Sequence, residues 1–259
     1  METLTRFGYA AKGFVYAAVG ILALLAAFNL GGKTTDTTGA LQTIAEQPFG
    51  RMLLALIALG LFCYALWRLI QTYYEYRSGK DDLKKTLFVC LGHVFSGVAY
   101  LGVAANAGIL AMGGDSSGGT SKQDWTALVM EQPLGRWLVG LAGAITIGVG
   151  FWRIYQAYET KFRKKLNLRE LDPKQETWLV NISRFGIAAR GFVFLAIGFF
   201  VIEAAQQYNP DKVRGLDGAL LTLTRQPYGK LMLAVVAAGL VAYAVYLFIQ
   251  ARYRKIKIG

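Results

Sequence analysis

Histidine occurs once and cysteine twice in the 259 residues. A single histidine cannot supply both axial ligands of a bis-histidine haem, and no acid-rich pair suggests a metal centre. No cofactor and no metal are therefore expected. Cys63 and Cys90 fall in two different apolar runs and read as small packing residues rather than a disulfide or a nucleophile. Charge is scarce as well: 17% of the residues are charged, where a soluble domain carries about a quarter. Within that small share acids are outnumbered 28 to 16. A soluble all-helical domain is the reading this scarcity counts against, because long helices apolar all round leave no polar face for water.

Apolar sequence is what the chain has in abundance. The stretches 7–30, 49–74, 86–112, 134–157, 180–206 and 228–251 each reach the roughly 20 residues that cross a bilayer as a helix. The expected class is an all-α integral membrane protein with six transmembrane helices. Lysine and arginine orient it. Segments 1–6, 75–85, 159–177 and 252–259 hold fifteen of them, and the alternate segments 31–47, 113–132 and 207–226 hold five. The positive-inside rule then predicts that both termini face the cytoplasm. The net charge of +12 becomes a topology signal with attraction to anionic lipid headgroups. Nucleic acid is not an expected partner, since the apolar runs divide cations that such a surface would gather on one wet face.

The first run follows a short basic lead, as a secretory leader would. Residues 6–28, RFGYAAKGFVYAAVGILALLAAF, nevertheless align without gaps to 184–206, RFGIAARGFVFLAIGFFVIEAAQ, with 12 of 23 positions identical. A segment repeated deep in the chain is expected to belong to the mature fold. A second repeat marks the other helix of each pair: EQPFGR at 46–51, EQPLGR at 131–136 and RQPYGK at 225–230. Pro48, Pro133 and Pro227 are separated by 85 and 94 residues, so each unit is one helical hairpin. The units are 1–78, 79–165 and 166–259. The middle one is divergent, its first helix matching only through Gly92, Gly97 and Tyr100, which answer to Gly8, Gly13 and Tyr16.

Three parallel hairpins pack most simply around a pseudo-threefold axis along the membrane normal. Gly8, Gly13 and Gly20, with Gly186, Gly191 and Gly198, would let helix backbones approach closely. The prolines are expected in the first turn of their helices, where the missing N–H has no partner anyway. Gly50, Gly135 and Gly229 would relieve crowding between hairpins, and the Arg or Lys that follows would reach headgroups. Before these corners, GALQTIAE (39–46) and GALLTLTR (218–225) predict short helices in the outer interface. An anion site on the three helix N-termini is the functional alternative for this helix-start motif.

The pattern RxGxxA[KR]GxVY, then GAL-x-T-x-x-x-QPFGR, then a second helix with YALWR, resembles the bacterial membrane family called domain of unknown function 1206. The resemblance covers nearly the whole chain and implies three copies of a two-helix repeat in the bacterial plasma (inner) membrane. It implies no reaction and no catalytic residues. Repeat two departs from it, lacking the GAL segment and carrying Ser96 where Lys12 and Arg190 stand.

Ionisable residues inside a bilayer are costly and are functional candidates by default. Lys12 and Arg190 lie about two turns into the first and fifth runs. Arg68 and Arg153 each stand twenty residues after their prolines, where repeat three has Leu247. Gln71, Gln156 and Gln250 share one offset in all three repeats, and His93 falls one turn before Ser96. The topology puts all of these in the cytoplasmic half of the membrane, with Glu75 and Glu159, at the helix ends, as the nearest acids. Snorkelling to interfacial water is the simple reading of the cations. An anionic lipid or solute between hairpins is the functional one, and hydrogen bonding through the glutamines a third. Trp67, Trp152, Tyr73, Tyr74, Tyr155, Tyr158 and Tyr253 are expected to form an interfacial aromatic belt. Glu203 reads as a water-facing carboxylate, 113–124 as a flexible connector, and the NIS triplet at 181–183 as a glycosylation acceptor in letters only.

These features favour a non-enzymatic membrane protein that binds lipid or a protein partner through its basic groups. Transport of a small solute or anion along the axis is the alternative, and the apolar midsections of the helices count against it. An intramembrane enzyme would need His93 or Cys63 to act without an evident catalytic partner. Oligomeric state and protein partners leave no mark on the sequence.

Overall fold

The computed structural model describes residues 2–78, 83–114, 122–167 and 172–254; most of the expected connector at 113–124 lies outside them. Each apolar run is one long helix: α1 Glu2–Ala27, α3 Gly50–Ser78, α4 Leu83–Ala111, α6 Gly135–Tyr158, α7 Pro173–Gln207 and α9 Gly229–Tyr253. All six are long and apolar enough to cross a membrane. Helix α7 begins about two turns earlier than the apolar run, because Pro173 makes a good first helical residue. The NIS triplet lies within it, where Ser183 is buried and donates to the Leu179 carbonyl. Among the described residues there is no β-strand, only an isolated bridge between Leu166 and Arg254.

Short helices α2 Thr37–Ala45, α5 Lys122–Met130 and α8 Leu216–Thr224 precede the second long helix of each repeat. Helix α5 was not foreseen, since KQDWTALVM lacks the GAL letters. It keeps an apolar contact instead, with Met130 buried in the cluster that holds Val139 and Ala204.

The repeated corner is a β-turn. The N–H groups of Gly50, Gly135 and Gly229 donate to the carbonyls of Gln47, Gln132 and Gln226 at 2.8, 2.9 and 2.8 Å. The third turn residues, Phe49, Leu134 and Tyr228, have φ of 61°, 68° and 61°, which with proline in second place is the type II pattern. Pro48, Pro133 and Pro227 therefore stand just ahead of their helices and not in the first turn. The glycines also have a different reason from the one expected. A Cβ on Gly50, Gly135 or Gly229 would lie 1.9, 1.8 and 2.4 Å from the carbonyl oxygens of Ile44, Val129 and Leu223. Glycine folds each short helix back onto its own long helix; it does not relieve crowding between hairpins. The next residue answers a neighbouring helix end: Arg136 donates to the Gln206 carbonyl at 3.1 Å. A Cβ on Gly113, just past α4, would come within 3.3 Å of the Arg51 guanidinium. Cations suit helix C-termini, so these two do not simply reach outward to headgroups.

The most extensive interfaces join the second helix of one repeat to the first of the next: α3 on α4, α6 on α7, and α9 on α1. Within repeats α1 packs on α3 and α7 on α9, but among the described residues α4 and α6 form no packed interface. The order is α4–α3–α1–α9–α7–α6. It curls around a shared interior, because Tyr16 of α1 and Tyr100 of α4 pack against one buried cluster that also holds Tyr64 of α3 and Tyr243 of α9. Two repeats are closed hairpins; the middle one is splayed.

Glycine explains the difference. A Cβ on Gly8 would meet the Tyr64 backbone at 2.9 Å, and one on Gly186 the Tyr243 nitrogen at 2.3 Å. On the facing helices, Gly60 and Gly239 leave room for Ala11 and Ala189. The residue at the place of Gly60 and Gly239 in α6 is Ile145, and Gly92, at the place of Gly8, has nothing within 4 Å. Without hydrophobic driving force in lipid, helices associate by close packing, and in the middle repeat Ile145 stands where the facing helix would need its glycine.

Candidate functional site: a buried cluster of cations and tyrosines

Lys12 and Arg190 occupy equivalent places on α1 and α7, and both point inward. They are 4% and 9% exposed, so neither snorkels to an interface. Lys12 Nζ donates to the Tyr64 hydroxyl at 3.2 Å and lies 4.6 and 4.4 Å from the ring centres of Tyr64 and Tyr100. Arg190 donates to the Tyr243 hydroxyl, with its guanidinium 4.6, 4.9 and 5.1 Å from the rings of Tyr243, Tyr16 and Phe194. In each closed hairpin a cation on the first helix thus meets a tyrosine on the second. Each of those tyrosines sits sixteen residues after its proline.

A second layer supports the first. Arg68 Nε also donates to the Tyr64 hydroxyl, at 2.9 Å, so one buried oxygen accepts from two cations. Gln71 and Gln156 hold the arginines three residues before them, accepting from Arg68 Nη1 and Arg153 Nη1 at 3.3 Å each. Arg153 lies one turn before Ala157, which is buried in one core with Tyr64, Tyr243 and Tyr246. Edge-to-face contacts run through Tyr9–Tyr64, Tyr64–Tyr100, and Tyr16–Tyr243. At the C-terminus of α9, Arg254 donates to the Tyr9 hydroxyl and stacks over its ring at 4.7 Å.

The charges do not balance. Lys12 shares the Tyr64 hydroxyl with Arg68, a cation of its own sign, and the neighbours of Arg190 are the aromatic rings of Tyr243, Tyr16 and Phe194. The ion pairs Arg6–Glu2, Arg163–Glu176 and Lys212–Glu203 lie outside the cluster. A cation over a ring gains about 0.5–2 kcal/mol, and a hydrogen bond to a charged group about 1.5–3 kcal/mol. Removing each ion from water costs several kcal/mol, and mutual repulsion adds to that. The tyrosines offset part of this deficit. Arg190 Nε and Arg153 Nε are buried without a hydrogen-bond partner.

Of the eight candidate residues, Lys12, Arg68 and Arg190 share the tyrosines, Arg153 stands close by, and Gln71 and Gln156 position the arginines. Gln250 is buried in α9 beside Leu247, and His93 is half-buried on α4. The sequence reading missed Tyr64 and Tyr243, whose signal was the fixed offset from the prolines. It also placed Trp67 in the interfacial belt, whereas Trp67 is buried; Tyr73, Tyr74, Trp152, Tyr155 and Tyr158 are exposed. Glu203 forms an ion pair with Lys212 at 2.9 Å. Cys63 and Cys90 are buried and free.

Fold and site together define a six-helix membrane protein built from three two-helix repeats. The family described as Domain of Unknown Function (DUF1206) matches the chain three times, over residues 7–75, 91–159 and 185–254. The chain belongs to that family. It is 36% identical over 249 residues to "Uncharacterized protein YxxB" of Bacillus subtilis (strain 168), covering 96% of this chain and 90% of that relative. No solved structure matches.

Proposed function

We propose that this protein is a non-enzymatic component of the bacterial plasma membrane, with both termini in the cytoplasm, that binds a phosphate-bearing anion on its buried cations. The orientation rests on the fifteen Lys and Arg of the terminus-side segments against five opposite. One observation carries the binding reading: Lys12 and Arg190 are buried against tyrosines with no carboxylate beside them among the described residues. An anionic headgroup supplies the missing charge and can take up the free Nε protons of Arg190 and Arg153.

Static binding is favoured over passage. Toward the end that carries the short helices, the interior between α1, α7 and α9 is filled by Val19, Ala23, Val193, Leu233 and Leu240, which offer no polar step to a solute.

The test is purification into nanodiscs of phosphatidylglycerol or of phosphatidylcholine, followed by native mass spectrometry. The expected result is retention of about one phosphatidylglycerol per chain and loss of retention in Lys12→Met/Arg190→Met. Equal retention of both lipids, unaltered by the double substitution, would remove the reading. Protection by inorganic phosphate alone, with no lipid retained, would move it to a free anion.

A further inference from the structure

We infer that the ligand is a whole anionic phospholipid, admitted sideways through the seam between α4 and α6. This inference rests on the anion-binding reading above and adds the route and the acyl-chain site.

Four observations converge on the seam. First, α4 and α6 are neighbours in sequence without a packed interface, whereas α1, α3, α7 and α9 each pack on two long helices. Only 22% of the apolar window of α4 and 17% of that of α6 are buried, against 39–56% for the other four. Second, both helices reach the cluster, α4 through Tyr100, whose ring meets Tyr64, and α6 through Ala157, which packs in one core with Tyr64, Tyr243 and Tyr246. Among the described residues, the seam is therefore where adjacent long helices of one repeat leave the walls of the cationic site without a packed helix pair between them and the bilayer.

Third, the residues that close the other two hairpins are replaced here. Ser96 stands for the cation of Lys12 and Arg190, Val149 for Tyr64 and Tyr243, and Ile145 for Gly60 and Gly239. Each replacement removes a cross-hairpin contact and none adds a charge. Gly92, Ser96, Ala99, Val103 and Asn106 recur at alternating intervals of four and three and share one stripe of α4. Ala142, Thr146, Val149 and Arg153 do the same on α6. Apart from Ser96, Asn106 and Thr146, the stripes carry small or apolar side chains that suit acyl chains, and the α6 stripe ends on a guanidinium. Fourth, Arg190, itself nine-tenths buried, keeps an unpartnered Nε inside the cluster. Charge complementarity thus selects the occupant: apolar walls leading to uncompensated cations fit a lipid with an anionic phosphate, and neither a zwitterionic lipid nor a second apolar helix meets that charge.

The full chain in vesicles of phosphatidylglycerol and phosphatidylcholine carries the test, each lipid supplied in turn with a diazirine on its acyl chain. Label from phosphatidylglycerol is expected on α4 and α6, about tenfold above label from phosphatidylcholine. Ala99→Trp, which fills the seam, is expected to cut bound phosphatidylglycerol about tenfold while thermal stability in detergent stays near wild type. Phe62→Trp, on an exposed part of α3, leaves both unchanged. Label spread evenly over all six helices, or Lys12- and Arg190-dependent retention indifferent to Ala99→Trp, overturns the seam and spares the cationic site. No selective phosphatidylglycerol retention in wild type overturns both. A chain dimer cross-linked through α4 and α6 in place of lipid label also sinks the inference, with a second copy as occupant. If Ala99→Trp fails to fold, Ile145→Trp and the labelling pattern of wild type decide.

Discussion

Repeats one and three differ from repeat two at a handful of matched positions, and those positions decide whether two helices touch. In the closed repeats a glycine on each helix admits the partner's backbone or alanine, and a cation spans the joint to a tyrosine hydroxyl. In the middle repeat Ile145, Ser96 and Val149 remove the fit and the polar tie together. The corners, the short helices and the interfaces between repeats persist in all three. Contacts between repeats thus hold the assembly, while closure within a repeat is the variable feature. The proposed anion needs one joint left open, and the divergent repeat is the one whose helices do not pack together.

The comparison breaks most readily at its glycines. Gly186→Ala puts a Cβ 2.3 Å from the Tyr243 nitrogen, a backbone atom that cannot yield, and is expected to destabilise by about 1–3 kcal/mol. Gly92→Ala has nothing within 4 Å and is expected to stabilise by up to about 1 kcal/mol through helix propensity. Thermal unfolding in detergent checks the opposite signs; equal effects would end the contrast between closed and open repeats.

The charge deficit gives the next effect. Lys12→Met removes a buried ion while Arg68 still donates to the Tyr64 hydroxyl. In lipid-free detergent this variant is expected to be more stable than wild type by about 1 kcal/mol or more, with the order reversed in phosphatidylglycerol nanodiscs. Wild type more stable in both settings would show that the tyrosines alone satisfy Lys12. Tyr64→Phe removes the acceptor shared by Lys12 and Arg68 and is expected to cost about 1–3 kcal/mol. Tyr155→Phe, whose exposed hydroxyl meets Lys161, is expected to change stability by less than about 0.5 kcal/mol. The smallest effect belongs to the corners: Phe49→Gly relieves a left-handed φ of 61° and should stabilise by about 1 kcal/mol, less whatever packing the ring provides.

The prolines at 48, 133 and 227 displayed the repeat, yet their turn type was not visible there. A type II turn depends on where the preceding carbonyl falls, and Ile44, Val129 and Leu223 reach the glycines only after the short helices form. The cations were visible and their destination was not. Lys12, Arg68, Arg153 and Arg190 have side chains long enough to reach water or a neighbour, and only packing selects between them. Tyr64 and Tyr243 matched in offset from the start, but an aromatic in an apolar run does not declare whether it faces lipid or a charge. Trp67 was misplaced for the same reason: its level along the helix suited the interface, and its azimuth turned it inward.

By itself the sequence determined six bilayer-length helices and their triplicate plan, because hydropathy and the recurrence of glycine and proline are local properties that need no partner. Only the tertiary structure decided which hairpins close and which side chains meet the cations. Those outcomes depend on the distance and rotation between helices, which lipid leaves to backbone-scale packing at single residues such as Gly60, Ile145 and Gly239.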